Sequence, residues 1–134
     1  MSAQNVEIVL RNYDAFNRRD ADAVFADYHP EIEYRLARSL EGSATLSGRE
    51  QIKTVMLQVW ELFPEGGTEP EETYDLGDEV LVRSLEWRVG RDGIRIEERG
   101  GQLWTLEDGL VVRFEAFMDW AEALEAAGLG ERAP

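Results

Sequence analysis

Residues 100–117 read GGQLWTLEDGLVVRFEAF, two runs of alternating apolar residues on either side of Glu-Asp-Gly. A period of two marks a strand with one buried face, and a short polar stretch ending in glycine marks a hairpin turn. If Glu107, Asp108 and Gly109 form a three-residue loop, a type I turn plus a left-handed glycine bulge, Leu106 pairs with Leu110 and Gln102 lies opposite Phe114. One face then carries Gln102, Trp104 and Leu106 with Val112, Phe114, Ala116 and Met118. The other carries Leu103, Thr105, Val111, Arg113, Glu115 and Phe117, a mixture suited to a half-exposed or subunit-facing surface. A two-residue Asp-Gly turn would instead move Gln102 to the face of Arg113 and Glu115; the longer loop is favoured because it keeps glycine where the bulge needs it. The first face is apolar except for one carboxamide, as the wall of a small-molecule cavity would be.

Upstream of this hairpin the same period runs through TYDLGDEVLVRSLEWRVG, with a turn at Gly-Asp-Glu, and through GIRIEERGGQLWTL. PEGGTEPEET, rich in Pro, Gly and acid, reads as a loop before them. The N-terminal half has helical spacing instead. Val6, Val9, Leu10, Tyr13 and Phe16 form one stripe of a first helix, and Asp20 can cap a short second one, DADAVFADY, which His29-Pro30 stops. IEYRLA alternates as a strand with Ile32, Tyr34 and Leu36 on one side. Ser47 and Glu50 form a capping box for a third helix with Ile52, Val55, Met56, Val59, Trp60 and Phe63 on its stripe. Asp119 with Glu122 opens a last helix, which Gly128 closes in a left-handed cap with Leu129 packing back. Helices followed by antiparallel strands imply an α+β fold, a single domain over residues 1–134 in which one sheet face takes the helices and a curled sheet leaves a hollow.

Composition narrows the chemistry. The chain has no cysteine and one histidine, His29, so thiol nucleophiles and sulfur- or histidine-built metal centres are not expected. GREQIK lacks the glycine and lysine spacing of a phosphate loop, and no cofactor is implied. Asp and Glu number 28 against 14 Lys and Arg, a formal charge of −14 that repels nucleic acid and anionic membrane. Without a long apolar run or the basic and apolar blocks of a signal peptide, a cytoplasmic protein is expected.

The order helix, helix, strand, long helix, antiparallel strands and short terminal helix resembles the NTF2-like superfamily, and within it the SnoaL-like group. YDAFNRRDADAVFADYHPEIEY, SGREQI and QLWTLEDGLVVRFEAFMDWAEALEAAGL carry the likeness, which spans nearly the whole chain. The resemblance implies a cone with an interior pocket and a homodimer through the outer sheet. It is specific for fold and weak for reaction, because the superfamily holds isomerases, cyclases, dehydratases, epoxide hydrolases, binding proteins and transport adaptors. Relatives often keep His or Asp where this chain has Gln102. Laid over ketosteroid isomerase, the motifs put Leu36 near the position of the base and Gln102 near that of the oxyanion-hole aspartate, with Tyr13 about one residue out of step with the tyrosine. Steroid isomerisation by that mechanism is therefore rejected. The Asp-Arg-Asp set of limonene epoxide hydrolase relatives has no clear counterpart, only Arg83 and Arg88 on the long strand.

Three functional classes remain. The first is a cofactor-independent isomerase, cyclase or hydrolase acting on a small apolar molecule that bears a carbonyl or hydroxyl, with Glu98 and Tyr13 as candidate catalytic residues. Glu98 shares the alternation of Gln102 unless Gly100-Gly101 bulges, and an inward glutamate would have a raised pKa. The second is a ligand-binding protein without chemistry, and the third a dimeric interaction module. In the first two the ligand contacts Phe16, Trp60, Gln102, Trp104, Phe114 and Met118. Tyr28 and Tyr34 could also point hydroxyls into the cavity, though tyrosine on an apolar face is more often core.

Overall fold

The computed structural model describes residues 2–36 and 44–129. The hairpin is present as β5 (Arg95–Glu107) and β6 (Leu110–Phe117). Its turn is the shorter one: Glu107 pairs with Leu110, and Asp108 and Gly109 hold φ of 51° and 80°. This is the left-handed pair of a two-residue hairpin turn, whose twist matches that of the strands. Gln102 nevertheless stays on the face of Phe114. Leu106 pairs with Val111 while Thr105 pairs with Arg113, so Val112 is inserted as a bulge one step after the turn. That extra residue restores the facing that the shorter turn would have reversed. Pairing is shifted by two from the expected register: Gln102 lies opposite Ala116 and Trp104 opposite Phe114. Val111, expected outside, is fully buried in the main core, and Val112 is only half-buried.

Two further strands extend the hairpin, as β3 (Glu65–Asp75) pairs with β4 (Glu79–Val89) and β4 with β5, all antiparallel. The stretch expected as a loop, PEGGTEPEET, is thus mostly strand. It looks unlike one because it forms the sheet's edge, where acid side chains face water and Pro70 needs no ladder bond on its free side. A register shift between Pro70 and Glu72 accommodates the proline. The other edge is β2 (Ala44–Ser47), a short strand the sequence did not announce, paired with β1 (Tyr28–Leu36). β1 lies parallel to β6, giving the order β2-β1-β6-β5-β4-β3. Tyr28, expected at the end of a helix, opens β1 instead.

Four helices pack on this curved sheet. α1 (Ser2–Asn17) crosses β3 and β4, with α2 (Ala21–Ala26) beside it. The buried stripe of α1 runs Asn5, Ile8, Val9, Asn12 and Tyr13, while Leu10, expected inside, is 39% exposed. The two asparagines are tolerated because each amide donates to a backbone carbonyl, Asn5 to Gly77 at 2.9 Å and Asn12 to Val24 at 2.8 Å. Asn17 at the end of α1 donates to the Thr68 carbonyl and accepts from its N–H, covering one residue of the open β3 edge.

α3 (Arg49–Leu62) is capped by Gly48 rather than by Ser47, and the expected capping box does not form; Ser47 N–H donates to the Gln51 side chain at 2.8 Å. Only Ile52 of its stripe is buried, and Val59 is exposed, because α3 rims the cavity mouth. Arg19 ties α1 to this helix by donating to the carbonyls of Trp60 and Phe63 at 3.0 and 2.6 Å, a cation at the negative helix end. α4 (Trp120–Ala126) packs on the outer face, where Ala123 joins Leu81 and Leu103 in a second small core. Leu103 is therefore buried, not half-exposed. Asp119 caps α4 and Gly128, with φ of 80°, ends it while Leu129 packs back, as expected. Among the described residues no helix is long and apolar enough to cross a membrane.

Candidate functional site

The hollow between α1, α3 and the sheet holds an inner cavity of about 190 Å³. Its walls come from six elements: Tyr13 and Phe16 of α1, Tyr28 and Tyr34 of β1, Thr68 of β3, Glu86 of β4, Gln102 and Trp104 of β5, and Phe114 of β6. Aromatic rings interlock around it, with Tyr34 and Trp104 each against Phe114 at centroid distances of 4.6 and 4.7 Å. A wider vestibule of about 700 Å³ adjoins it, and Leu36, Glu86, Gln102 and Ala116 line both.

Gln102 is 7% exposed and does not stand alone. Its Oε1 accepts the hydroxyl of Tyr13, and Tyr13 Oη in turn accepts the indole N–H of Trp104 at 3.0 Å. This chain has a direction. An indole nitrogen can only donate, so Tyr13 must accept from it and spend its own proton on Gln102. The atom facing Tyr13 is thereby fixed as oxygen, which leaves the Gln102 amide nitrogen a donor with no partner among the described residues, on a side chain that lines both the inner cavity and the vestibule.

A second chain runs the other way. Asn12 gives its amide N–H to Val24, leaving Oδ1 to accept from Tyr28 at 3.3 Å. With the Tyr28 proton so used, the hydrogen bond between Tyr28 and Tyr34 is donated by Tyr34. Reversing it would strand a buried amide oxygen at a cost of ~1–3 kcal/mol. Tyr34 therefore offers the cavity lone pairs. Burial pushes all three phenols well above their ordinary range, so they stay protonated at neutral pH.

Ionisable groups collect at the junction of the cavities. Glu86 lines the inner cavity, the vestibule and a side cavity of about 90 Å³ beside Trp60. Glu98 lies directly across from it on β5, and Arg88 donates to both, at 2.8 Å to Glu86 and 3.3 Å to Glu98. Although 47% of its side chain reaches vestibule solvent, Glu86 is crowded enough that desolvation raises its pKa against the pull of Arg88, with Glu98 reinforcing the rise.

No bulge forms at Gly100-Gly101, so Glu98 does share the face of Gln102, but it stands at the vestibule rim and does not line the inner cavity. Of the residues expected to touch a ligand, Phe16, Gln102, Trp104 and Phe114 line the inner cavity. Met118 lies in the vestibule, and Trp60 in the side cavity, stacked near Phe16 at 5.7 Å. Arg83 points to the outer face, over Trp120. Alternation puts Glu86 and Arg88 on one face of the long strand and Arg83 on the other, so that at most one of Arg83 and Glu86 can face the cavity; the structure turns Glu86 inward, a site role that sequence reasoning did not assign to it. The signal available was its shared alternation with Arg88 and Glu98 across paired strands.

The SnoaL-like domain matches residues 9–114, most of the chain. The chain belongs to the SnoaL-like domain family. Solved structures of similar fold include an NTF2-like protein from Burkholderia thailandensis, 26% identical with TM-score 0.76, covering 93% of this chain and 95% of that one. TerC, co-crystallised with polyporic acid, is 25% identical with TM-score 0.76 over 93% of this chain and 98% of its own. A ketosteroid isomerase-like protein from Catenulispora acidiphila, in complex with trimethylamine, shares 18% identity and TM-score 0.74 over 96% and 98% of the two chains. No curated protein matches. This SnoaL-like chain thus has the NTF2-like architecture, N-terminal helices on a six-stranded, mostly antiparallel curved sheet.

Proposed function

We propose that this SnoaL-like protein binds a small, mainly apolar molecule carrying a carbonyl or hydroxyl oxygen in the inner cavity, and that Glu86 exchanges protons with it, as a cofactor-independent isomerase or cyclase requires. The observation that carries the reading is the Gln102 amide, its orientation fixed by Tyr13 and Trp104, in a cavity wall that is mainly aromatic. Similar folds crystallised with small molecules support it. Tyr13 serves as a positioning group, since its proton is already committed to Gln102. Glu86 is preferred to Glu98 as the proton carrier because it alone of the two lines the inner cavity.

The test has two parts. Thermal shifts of the parent protein and Gln102→Leu are compared over a panel of apolar carbonyl compounds; the parent should be stabilised and the variant much less so, and identical responses would remove the amide from binding. Any turnover found should then be lost in Glu86→Gln and retained in Glu98→Gln. Binding without turnover favours the second reading, a carrier or sensor of the same ligands, which the inability of an amide to exchange protons also favours. A homodimer through the part of the outer sheet left open by α4 is part of the proposal; there Glu33, Arg35, Arg113 and Glu115 form a mesh of ion pairs.

A further inference from the structure

The two hydrogen-bond chains end in the same cavity with opposite polarity, and together they specify more than an apolar ligand. From this geometry we infer that the inner cavity selects a neutral single-ring compound bearing both a carbonyl-type acceptor and a hydroxyl donor, the acceptor held by the Gln102 amide N–H and the hydroxyl by Tyr34 Oη. The inference rests on the reading of the cavity as a ligand site and sharpens its ligand class.

Size sets the first limit. An apolar cavity of about 150 Å³ takes benzene, so one of about 190 Å³ takes one ring with short substituents. Charge sets the second. Among the described residues no Lys, Arg or His lines the inner cavity; the Arg88 and Arg99 guanidinium groups line the vestibule, where Arg88 is paired with Glu86, so an anion in the inner cavity would leave those cations behind and lie beside a carboxylate. Polarity sets the third. Trp104 forces Tyr13 to donate to Gln102, which leaves the amide N–H as the donor; Asn12, held by the Val24 carbonyl, draws the Tyr28 proton and makes Tyr34 give its own to Tyr28, which leaves lone pairs. A ligand oxygen that only accepts fits the first position, and a ligand hydroxyl that donates fits the second. The wrong polarity at either place leaves a buried polar group unpaired, a stronger basis for rejection than shape alone. Trp104, Tyr13, Tyr28 and Asn12 act here as positioning residues, because each fixes which atom of Gln102 or Tyr34 meets the ligand.

The experiment follows the quenching of the protein's tryptophan fluorescence, with thermal shift beside it, on titration with 3- and 4-hydroxyacetophenone, their methyl ethers, the matching ethylphenols, ethylbenzene and benzoate. In the parent protein at least one hydroxyacetophenone should bind about tenfold or more tighter than its methyl ether and than its ethylphenol, and benzoate should not bind. Gln102→Leu should erase the preference for ketone over ethyl and keep that for hydroxyl over methoxy. Tyr34→Phe should do the reverse. Trp104→Phe, followed by thermal shift, should lower the ratio of hydroxyacetophenone to ethylphenol response, since it frees Tyr13 from donating to Gln102, whatever the change in the cavity does to the affinity of both. If ethylbenzene and the hydroxyketones bind the parent equally, the cavity reading stands and the polarity assignment is overturned. If no compound in the series binds, the cavity reading falls and takes this inference with it. Since the ligand series on the unaltered protein decides between these outcomes, a variant that fails to fold does not protect the inference.

Discussion

At the scale of single residues, Glu86 is the group whose environment does the most. Its carboxylate sits opposite Glu98 and shares Arg88 with it, and desolvation raises its pKa above that of an unfolded chain. A raised carboxylate pKa means the folded state holds the proton more tightly than the unfolded one. The resulting stabilisation is fully present below the ordinary glutamate range and is lost as pH rises through the raised folded value. Glu86→Gln cannot ionise and should escape that loss. The melting temperature of the variant, relative to the parent, should therefore climb as pH is raised from below the ordinary glutamate pKa to neutrality. A difference that falls over the same interval would mean that pairing with Arg88 outweighs burial.

How far such residues could be read from sequence depends on what surrounds them. Gln102 was legible because alternation alone sets its face, even though the turn beside it was read one residue too long and a bulge at Val112 made up the difference. Glu86 was not. A glutamate two positions from an arginine on a strand looks solvated, and its desolvation comes from the closing of the cavities around it, which strand spacing does not announce. The same holds for Asn12, whose place on a buried stripe depends on a carbonyl of α2 that no local pattern announces.

At the scale of elements, strands with a buried face and the caps of α4 followed from periodicity, whereas β3 did not, since an edge strand needs neither alternation nor apolar residues. α4 owes its seat to a missing side chain. A Cβ on Gly101 would come within 2.5 Å of Ala123 Cβ and 2.9 Å of the Trp120 ring. Neither neighbour can retreat without lifting the helix from Leu81 and Leu103. Gly101→Ala should cost ~1–3 kcal/mol in urea unfolding, the usual penalty for overpacking. Adding Ala123→Gly should recover part of it. No recovery would show that the contact with Trp120, or the strand itself, sets the requirement.

At the scale of the molecule, α4 covers only part of the outer sheet, and the ion-paired surface of β1 and β6 is what a second copy would meet. Sedimentation equilibrium at micromolar concentration should report twice the 15.3 kDa chain mass. Arg113→Glu, which turns a cation in that mesh into a third acid beside Glu33 and Glu115, should shift the distribution to single chains. A parent that sediments as one chain would overturn the dimer.

The parallel pairing of β1 with β6 also governs how the protein is made. Tyr28 finds Val111 and Leu36 finds Ala116, so the third element to leave the ribosome has no neighbour on that side until almost the last has appeared. Contacts that close such long loops are entropically late, and folding that depends on them is slow. The aromatic wall contributed by Tyr34 and Phe114 is assembled at that final step. A nascent or truncated chain ending before β6 would carry α1 to α3 and the β3–β5 meander, with α4 and one side of the cavity missing, and the exposed edges of β1 and β5 would invite pairing with other chains. The cavity is thus walled in only once β6 has been made, because the last strand to leave the ribosome carries Phe114, one of its walls.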